Sequence, residues 1–261
     1  MARVARPLPP SNSGYLSPAG PRLFAHRGLA LEAPENTLLA FAKAIALGAS
    51  YVETDVHASS DGHAVIAHDP DLKRIAGLDR RVDSLTLADL QKIDLGHDQT
   101  FCTLAEALDG FPETRFNIDV KSRAAVQPTI DAITTAGASD RVLVSSFDER
   151  RRAAAIRGLP GVVSSSSARR FLFALLAGKV GFSPAVRGSL RGLVAVQVPE
   201  KALGLTITTA RMLRRLHAAG VEVHIWTVND PIRMAELLDL GVDGIVTDRI
   251  DLALDVLSRR Q

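Results

Sequence analysis

Eight short runs of β-branched and apolar residues, separated by segments of helical periodicity, leave this chain few ways to fold. The runs fall at residues 23–26, 51–56, 115–121, 141–145, 162–164, 193–198, 221–226 and 244–247. Helical patterns occupy 37–47, 124–136, 148–157, 208–219, 231–240 and 251–259. Strands that alternate with helices pair in parallel through crossovers, and eight such units predict an α/β fold, a TIM (β/α)8 barrel. Gly48, Gly137, Gly220 and Gly241 follow helical patterns, where a left-handed terminal residue is wanted, and Asp230-Pro231 reads as an N-cap before a first-turn proline. The 261 residues match one barrel of about 250 residues.

Two segments stand outside this rhythm. Residues 1–21 contain five prolines and three serines and no apolar run of signal-peptide length; they read as a flexible tail preceding a single barrel domain at 22–261. Residues 61–104 read as a small insertion after the second strand, with a hairpin arm at 64–67 and a small helix near 86–91, lying over one end of the barrel. Cys102, the only cysteine, has no disulfide partner within the chain and is compatible with a reducing compartment. The longest apolar stretch, 171–177, is far short of the roughly 20 residues that cross a bilayer, so a cytoplasmic protein is expected. A net charge of +2 gives no sign of a nucleic-acid-binding surface.

Side chains alternate along a strand, so Val52, Thr54 and Val56 share one face and Glu53 and Asp55 the other. In the next strand Asn117, Asp119 and Lys121 oppose Phe116, Ile118 and Val120. With the apolar faces against helices, the charged faces point into the lumen near the strands' C-terminal ends, where barrel active sites sit. Glu53, Asp55 and Asp119 are the candidate metal ligands. Their oxygen-rich set, without a cysteine cluster, suits Mg2+ or Ca2+ better than zinc. A buried salt-bridge network of these acids with Lys121 and Arg27 is the alternative.

His26 and His68 each lie just beyond a predicted strand and form the candidate acid/base pair, imidazole being suited to proton transfer near neutral pH. Arg27 and Lys121 are placed to hold a phosphate. Trp226, at a strand end, is the candidate pocket wall, with Phe147 and Gln197 as further pocket residues. Asn36 is the expected helix cap, and Glu35 a rim residue beside His26 or the metal. His57, His63, His97, His217 and His224 lack comparable surroundings; His217 is expected to face solvent, and His224 is a candidate for the lumen.

With these residues placed, the chain from about 23 to 257 resembles the glycerophosphodiester phosphodiesterase family. The resemblance rests on an ordered set: Ala25-His26-Arg27-Gly28, Pro34-Glu35-Asn36-Thr37, Gly48-Ala49, Val52-Glu53-Thr54-Asp55-Val56, Ser60-Asp61-Gly62 and His68-Asp69. It continues through Leu104-Ala105-Glu106-Ala107-Leu108, Asn117-Ile118-Asp119-Val120-Lys121, Ser146-Phe147-Asp148, Trp226-Thr227-Val228-Asn229 and the run from Gly241 to Asp248. It implies a TIM barrel, a divalent cation, and hydrolysis of a glycerophosphodiester to glycerol 3-phosphate and an alcohol. It matches His26 and His68 to the family's acid/base histidines and Glu53, Asp55 and Asp119 to its metal carboxylates. Arg27 and Lys121 match its phosphate contacts, and Trp226 its pocket tryptophan. Asp119 stands where many members carry glutamate, one methylene longer.

The expected function is therefore metal-dependent hydrolysis of a small glycerophosphodiester. The alternatives are lysophospholipase D-type cleavage of lipid head groups and a non-catalytic barrel that binds phosphate ligands. Segment 169–182, apolar and flanked by arginines, reads more simply as an amphipathic barrel helix than as a membrane-dipping element. Oligomeric state is not fixed by the sequence.

Overall fold

The structure is a computed structural model and describes residues 14–260. Eight parallel strands form its centre: β1 (Arg22–His26), β2 (Tyr51–Ala58), β3 (Arg115–Val120), β4 (Val142–Ser145), β5 (Val163–Ser164), β6 (Ala195–Val198), β7 (Glu222–Ile225) and β8 (Gly244–Thr247). Hydrogen-bonded neighbours run β5, β4, β3, β2, β1, β8, β7, β6. A parallel bridge between Ser165 and Ala195 joins the two ends, with Val194 N donating to Ser164 O and Ser166 N to Ala195 O, each at 3.0 Å. The sheet is thus a barrel of the expected TIM type, and all eight sequence runs are its strands.

Around it lie α1 (Leu38–Ala46), α2 (Leu104–Gly110), α3 (Val126–Thr135), α4 (Glu149–Gly158), α5 (Ala168–Val180), α6 (Ser183–Leu190), α7 (Ala210–Ala218), α8 (Pro231–Leu240) and α9 (Ile250–Ser258). The period-two alternation divides the apolar residues into two cores. Leu23, Val52, Val56, Phe116, Ile118 and Val144 point outward against the helices. Phe24, Tyr51, Leu143, Val163 and Val246 fill the lumen. Register pairs His26 with Glu53, Glu53 with Asn117 and Asp55 with Asp119, so the polar residues form a ring at the strands' C-terminal ends.

The lower end of the lumen departs from expectation. The predicted tail extended to Pro21, but Gly14–Leu16 is a 3-10 turn with Tyr15 and Leu16 buried in the lumen core; residues 1–13 lie outside the described residues. Above this plug the Arg22 guanidinium is buried, donating to Glu222 through Nε (2.7 Å to Oε2) and Nη2 (3.0 Å to Oε1), and to the Tyr51 hydroxyl at 2.8 Å. Nη2 also reaches the Leu16 carbonyl at 2.7 Å. His224, fully buried beside this pair, places Nε2 3.0 Å from Glu222 Oε2.

The insertion carries its own small core of Val65, Leu72, Val82, Leu85, Leu90 and Phe101. Its arm, Ala64–Ile66, pairs antiparallel with β2, and its small helix is Leu87–Leu90 with Thr86 as N-cap. Helix α2 opens on a capping box between Thr103 and Glu106, a signal present in the sequence as Thr-Leu-Ala-Glu. Segment 169–182 falls largely on α5 (Ala168–Val180), but not as a helix with a wholly polar outer face. Phe171, Ala174 and Leu175 are buried, while Phe173, Leu176 and Val180 are exposed. Among the described residues no helix is long and apolar enough to cross a membrane.

Candidate active site

At the C-terminal mouth of the barrel lies a cavity of about 420 Å3 lined by His26, Arg27, Glu53, Asp55, His68, Asp119, Lys121 and Trp226 together. Strand register alone brings Glu53, Asp55 and Asp119 together. The histidines are held by turns. Arg27, at φ 57°, and Gly28, at φ 85°, reverse the chain after β1, and a Cβ on Gly28 would come within 2.6 Å of the Ala40 backbone. Only glycine fits there. Asn36, at φ 58°, is buried; its amide donates to Asp55 Oδ2 at 3.1 Å, and its carbonyl oxygen accepts from the Thr54 hydroxyl at 2.8 Å. Non-glycine residues held in the left-handed region mark a site the surrounding structure over-determines. The helix cap expected at Asn36 is instead Thr37, whose hydroxyl accepts from Ala40 N.

Both imidazoles have a carboxylate on Nδ1. His26 Nδ1 lies 2.6 Å from Asp248 Oδ1, and Asp248 Oδ2 accepts from Asn229 Nδ2 at 2.8 Å. His68 Nδ1 lies 2.8 Å from Asp69 Oδ1, and Asp69 Oδ2 accepts from Arg74 Nε at 2.5 Å. This leaves each Nε2 for the cavity; that of His26 is 3.9 Å from Glu53 Oε2. Burial works against the charged form of His26, but the hydrogen bond to Asp248 and the charge of Glu53 hold its pKa above the usual histidine value. His57, buried beneath the insertion, donates from Nε2 to the His68 carbonyl at 3.2 Å, and burial lowers its pKa. His217 does not face solvent freely: its Nε2 is 2.8 Å from Asp243 Oδ2.

Charges alternate between the two histidine loops. Arg74 reaches Glu35 at 2.6 Å, Glu35 accepts from Arg27 at 3.0 Å, and Arg27 Nε lies 3.2 Å from Asp55 Oδ2. Lys121 Nζ sits between Asp55 Oδ1 and Asp119 Oδ2, at 2.7 Å from each. Glu35 thus supports the arginines, not His26. Burial works to raise the Asp55 pKa, but the charges of Lys121 and Arg27 prevail and hold it below the normal carboxylate range. Burial pushes Glu53 up to about 8, with the neighbouring Asp55 charge adding to it, and burial likewise raises Asp119.

Among the described residues no group of three or more His, Cys, Asp or Glu side chains is already gathered as a ligand set, because Asp55 and Asp119 close on the Lys121 ammonium. The donor chemistry nonetheless fits a hard cation. Glu53 Oε2, Asn117 Oδ1 and Asp119 Oδ1 are buried in residues that line the cavity, and none has a hydrogen-bond partner. Leaving such oxygens unpaired costs about 1–3 kcal/mol each, more when charged, and a bound divalent ion would remove that cost.

The cavity also has an apolar wall of Phe147, Phe171, Leu172, Leu175, Leu203 and Trp226, interrupted by Ser165, Ser166, Ser167 and Gln197. Apart from Phe147 and Trp226, periodicity gave no reason to assign these apolar residues to a site, since α5 and the hairpin of Lys201–Ala202 with Leu205–Thr206 lie outside the barrel strands. Asp248, at the end of the quoted run from Gly241, and Arg74 are given no role by sequence reasoning. Their signal is a long-range contact, 222 residues from His26 for Asp248 and 39 from Glu35 for Arg74.

An α/β barrel with carboxylates, two histidines, an arginine and a lysine gathered in a cavity at its mouth is the class that fold and site define. The sequence matches the profile of the glycerophosphoryl diester phosphodiesterase family over residues 26–252. It is 42% identical to a probable glycerophosphodiester phosphodiesterase 2 of Mycobacterium tuberculosis over 94% of both chains. A lysophospholipase D of Rattus norvegicus is 27% identical over 87% of this chain and 83% of that protein. The fold is shared with an Oleispira antarctica phosphodiesterase solved in complex with the product sn-glycerol-3-phosphate, with a TM-score of 0.76 and 23% identity over 91% of this chain and 97% of that one. The chain belongs to the glycerophosphoryl diester phosphodiesterase family and is an enzyme of that class.

Proposed function

We propose that the protein hydrolyses small glycerophosphodiesters to glycerol 3-phosphate and an alcohol, with His26 and His68 as the proton-transfer pair. The observation that carries this reading is that both imidazoles, each with Nδ1 on a carboxylate, line one cavity with the Glu53, Asp55, Asp119 and Lys121 cluster. Arg27 and Lys121 neutralise the non-bridging phosphate oxygens, Arg27 through its planar fork and Lys121 as a point charge. One Nε2 takes the proton from the nucleophile, either water or the neighbouring glycerol hydroxyl, and the other gives a proton to the departing alkoxide; the hydroxyl route passes through a cyclic phosphate that water then opens to glycerol 3-phosphate. Trp226 and Phe147, with ring centroids 6.0 Å apart, bound the space for the alcohol.

Glu53, Asp55 and Asp119, with Asn117 beside them, would hold a divalent cation, Mg2+ or Ca2+. When bound, it supplies positive charge that polarises the phosphoryl oxygen. The test is an assay of the metal-stripped protein on glycerophosphocholine, repeated after addition of each ion. Turnover restored by either ion in the wild type, and absent from His26→Ala and His68→Ala, is the expected result. Full turnover in the stripped protein would remove the metal from the proposal.

A second reading, release of a head group from a lysophospholipid, is favoured by the apolar wall formed by Phe147, Phe171, Leu172, Leu175, Leu203 and Trp226. Choline release from lysophosphatidylcholine, compared with glycerophosphocholine at equal concentration, separates the two.

A further inference from the structure

The cavity's apolar wall does not stop at the cavity. Leu172, Leu203 and Phe147 line it and are also 36%, 75% and 56% exposed. From Leu172 the exposed apolar surface continues along α5 through Phe173, Leu176 and Val180 and on to Phe182, with exposures of 58%, 48%, 81% and 58%. Lys179 Nζ donates to the Thr206 carbonyl at 2.7 Å, which ties the hairpin bearing Leu203 to the end of the same helix. Soluble proteins rarely present an apolar patch of this kind, bordered by polar residues, unless something binds it.

Charge identifies the occupant. Between Arg150 and Val221 lie 13 of the chain's 31 basic residues and one of its 29 acidic residues, Glu200. The stretch of chain that contains the apolar patch is therefore rich in basic residues, although Glu149, just before it, pairs with Arg152. Arg169 stands beside the patch with its guanidinium 6.0 Å from the Phe173 ring centroid, and Arg187 and Lys201 are exposed on α6 and on the hairpin. Bulky apolar side chains with arginine and lysine alongside suit an interface whose inside is hydrocarbon and whose surface is anionic. A protein partner of matching shape would not require the cations; an anionic bilayer does.

We infer that α5, with the adjoining Phe182 and the hairpin bearing Leu203, docks this enzyme on an anionic lipid surface, with the mouth of the catalytic cavity opening at the edge of the docked face. This goes beyond the hydrolytic reading and does not depend on it. The rim residues Phe173, Leu176, Val180 and Phe182 are outside the cavity lining, so they can be changed without touching the site.

The experiment is flotation of the full chain with vesicles of phosphatidylglycerol and phosphatidylcholine, and with phosphatidylcholine alone. Binding is expected to the anionic vesicles only, and to weaken as salt screens the cations. Phe173→Ser/Leu176→Ser/Val180→Ser should bind at least about tenfold less, and Arg187→Glu/Lys201→Glu should lose the preference for anionic lipid. Glycerophosphocholine hydrolysis should be unchanged in both variants, with thermal melting reporting that they are folded. Because the charge reversal leaves the apolar residues in place, it decides the matter even if the triple variant does not fold. Wild-type protein that floats with no vesicle overturns the inference, as does a concentration-dependent dimer that the triple variant abolishes. Vesicle binding without any diester hydrolysis would leave the docking surface standing and refute the proposed function.

Discussion

Asp248 Oδ1 lies 2.6 Å from Nδ1 of His26, and the other oxygen of that carboxylate accepts from the Asn229 side chain, whose own carbonyl oxygen accepts from the Thr247 hydroxyl and the Asp248 backbone. Residues at the far end of the chain thus fix the tautomer of a histidine near its start. With Nδ1–H committed to Asp248, only Nε2 of His26 faces the cavity, and the ring cannot rotate without losing a charge-assisted hydrogen bond.

Asp248→Asn should therefore lower kcat by about 10²–10⁴-fold, by analogy with the loss of the orienting carboxylate in hydrolase triads. KM should change little, since Asp248 is not placed against the phosphate. A merely structural role would instead show as a lower melting temperature. Steady-state kinetics together with thermal melting distinguish the two, and wild-type kcat in the variant would refute the positioning role.

His26→Ala and His68→Ala should each reduce kcat by about 10²–10⁴-fold, the usual contribution of a positioned acid or base. Both side chains are at the cavity surface, so melting temperatures should stay near wild type. Equal losses in the single and double variants would indicate a pair acting as one unit. Turnover within twofold of wild type in either single variant would eliminate that histidine.

Much of this site was legible because strands alternate. Glu53 and Asp55, and Asn117 and Asp119, could be assigned to the lumen from period two alone, and their register across β2 and β3 agrees with that assignment. What the sequence could not show depends on contacts between distant segments. Arg22 opened the barrel domain with no role assigned to it, yet it meets Glu222 across 200 residues. Asn36 looked like a cap because its type suits one; its burial against Asp55 is a tertiary fact that no local propensity encodes. The exposed apolar side of α5 is legible as a membrane-dipping element but reads more simply as a barrel helix, since an apolar helix reads alike whether it is buried or faces outward.

Ion binding should register in stability as well as in rate. Asp119 Oδ1 and Glu53 Oε2 are buried without hydrogen bonds, and a divalent ion that satisfies them binds the folded state alone. At about 100 times its dissociation constant such an ion adds about 2.7 kcal/mol, a rise of several degrees in melting temperature. Glu53→Gln and Asp119→Asn should lose most of that rise. An unchanged melting temperature in the wild type at millimolar Mg2+ and Ca2+ would argue that Lys121 and Arg27 balance the acids without an ion.

The lumen floor supplies a pH-dependent term far from the chemistry. Burial opposes the ionised form of Glu222, but hydrogen bonds from His224 and Arg22 prevail and bring its pKa down to about 2, from an ordinary value of 4.5. A carboxyl depressed in the folded state contributes stability that is fully present above the unfolded value and is lost as pH falls through the folded one. The window is therefore about pH 4.5 down to about 2, and a shift of this size corresponds to about 3 kcal/mol. Glu222→Gln should remove that dependence and destabilise the protein at neutral pH by about 3–5 kcal/mol, because the buried Arg22 guanidinium loses its counter-charge. Arg22→Met/Glu222→Met, which removes both charges, should recover most of the loss, since an apolar pair of similar volume leaves no unpaired ion in the lumen. Urea denaturation of the three proteins at pH 7 and pH 3.5 measures all of this. A Glu222→Gln variant as stable as wild type at pH 7 would show that water reaches Arg22 and that the floor is not the dry, ion-paired layer described.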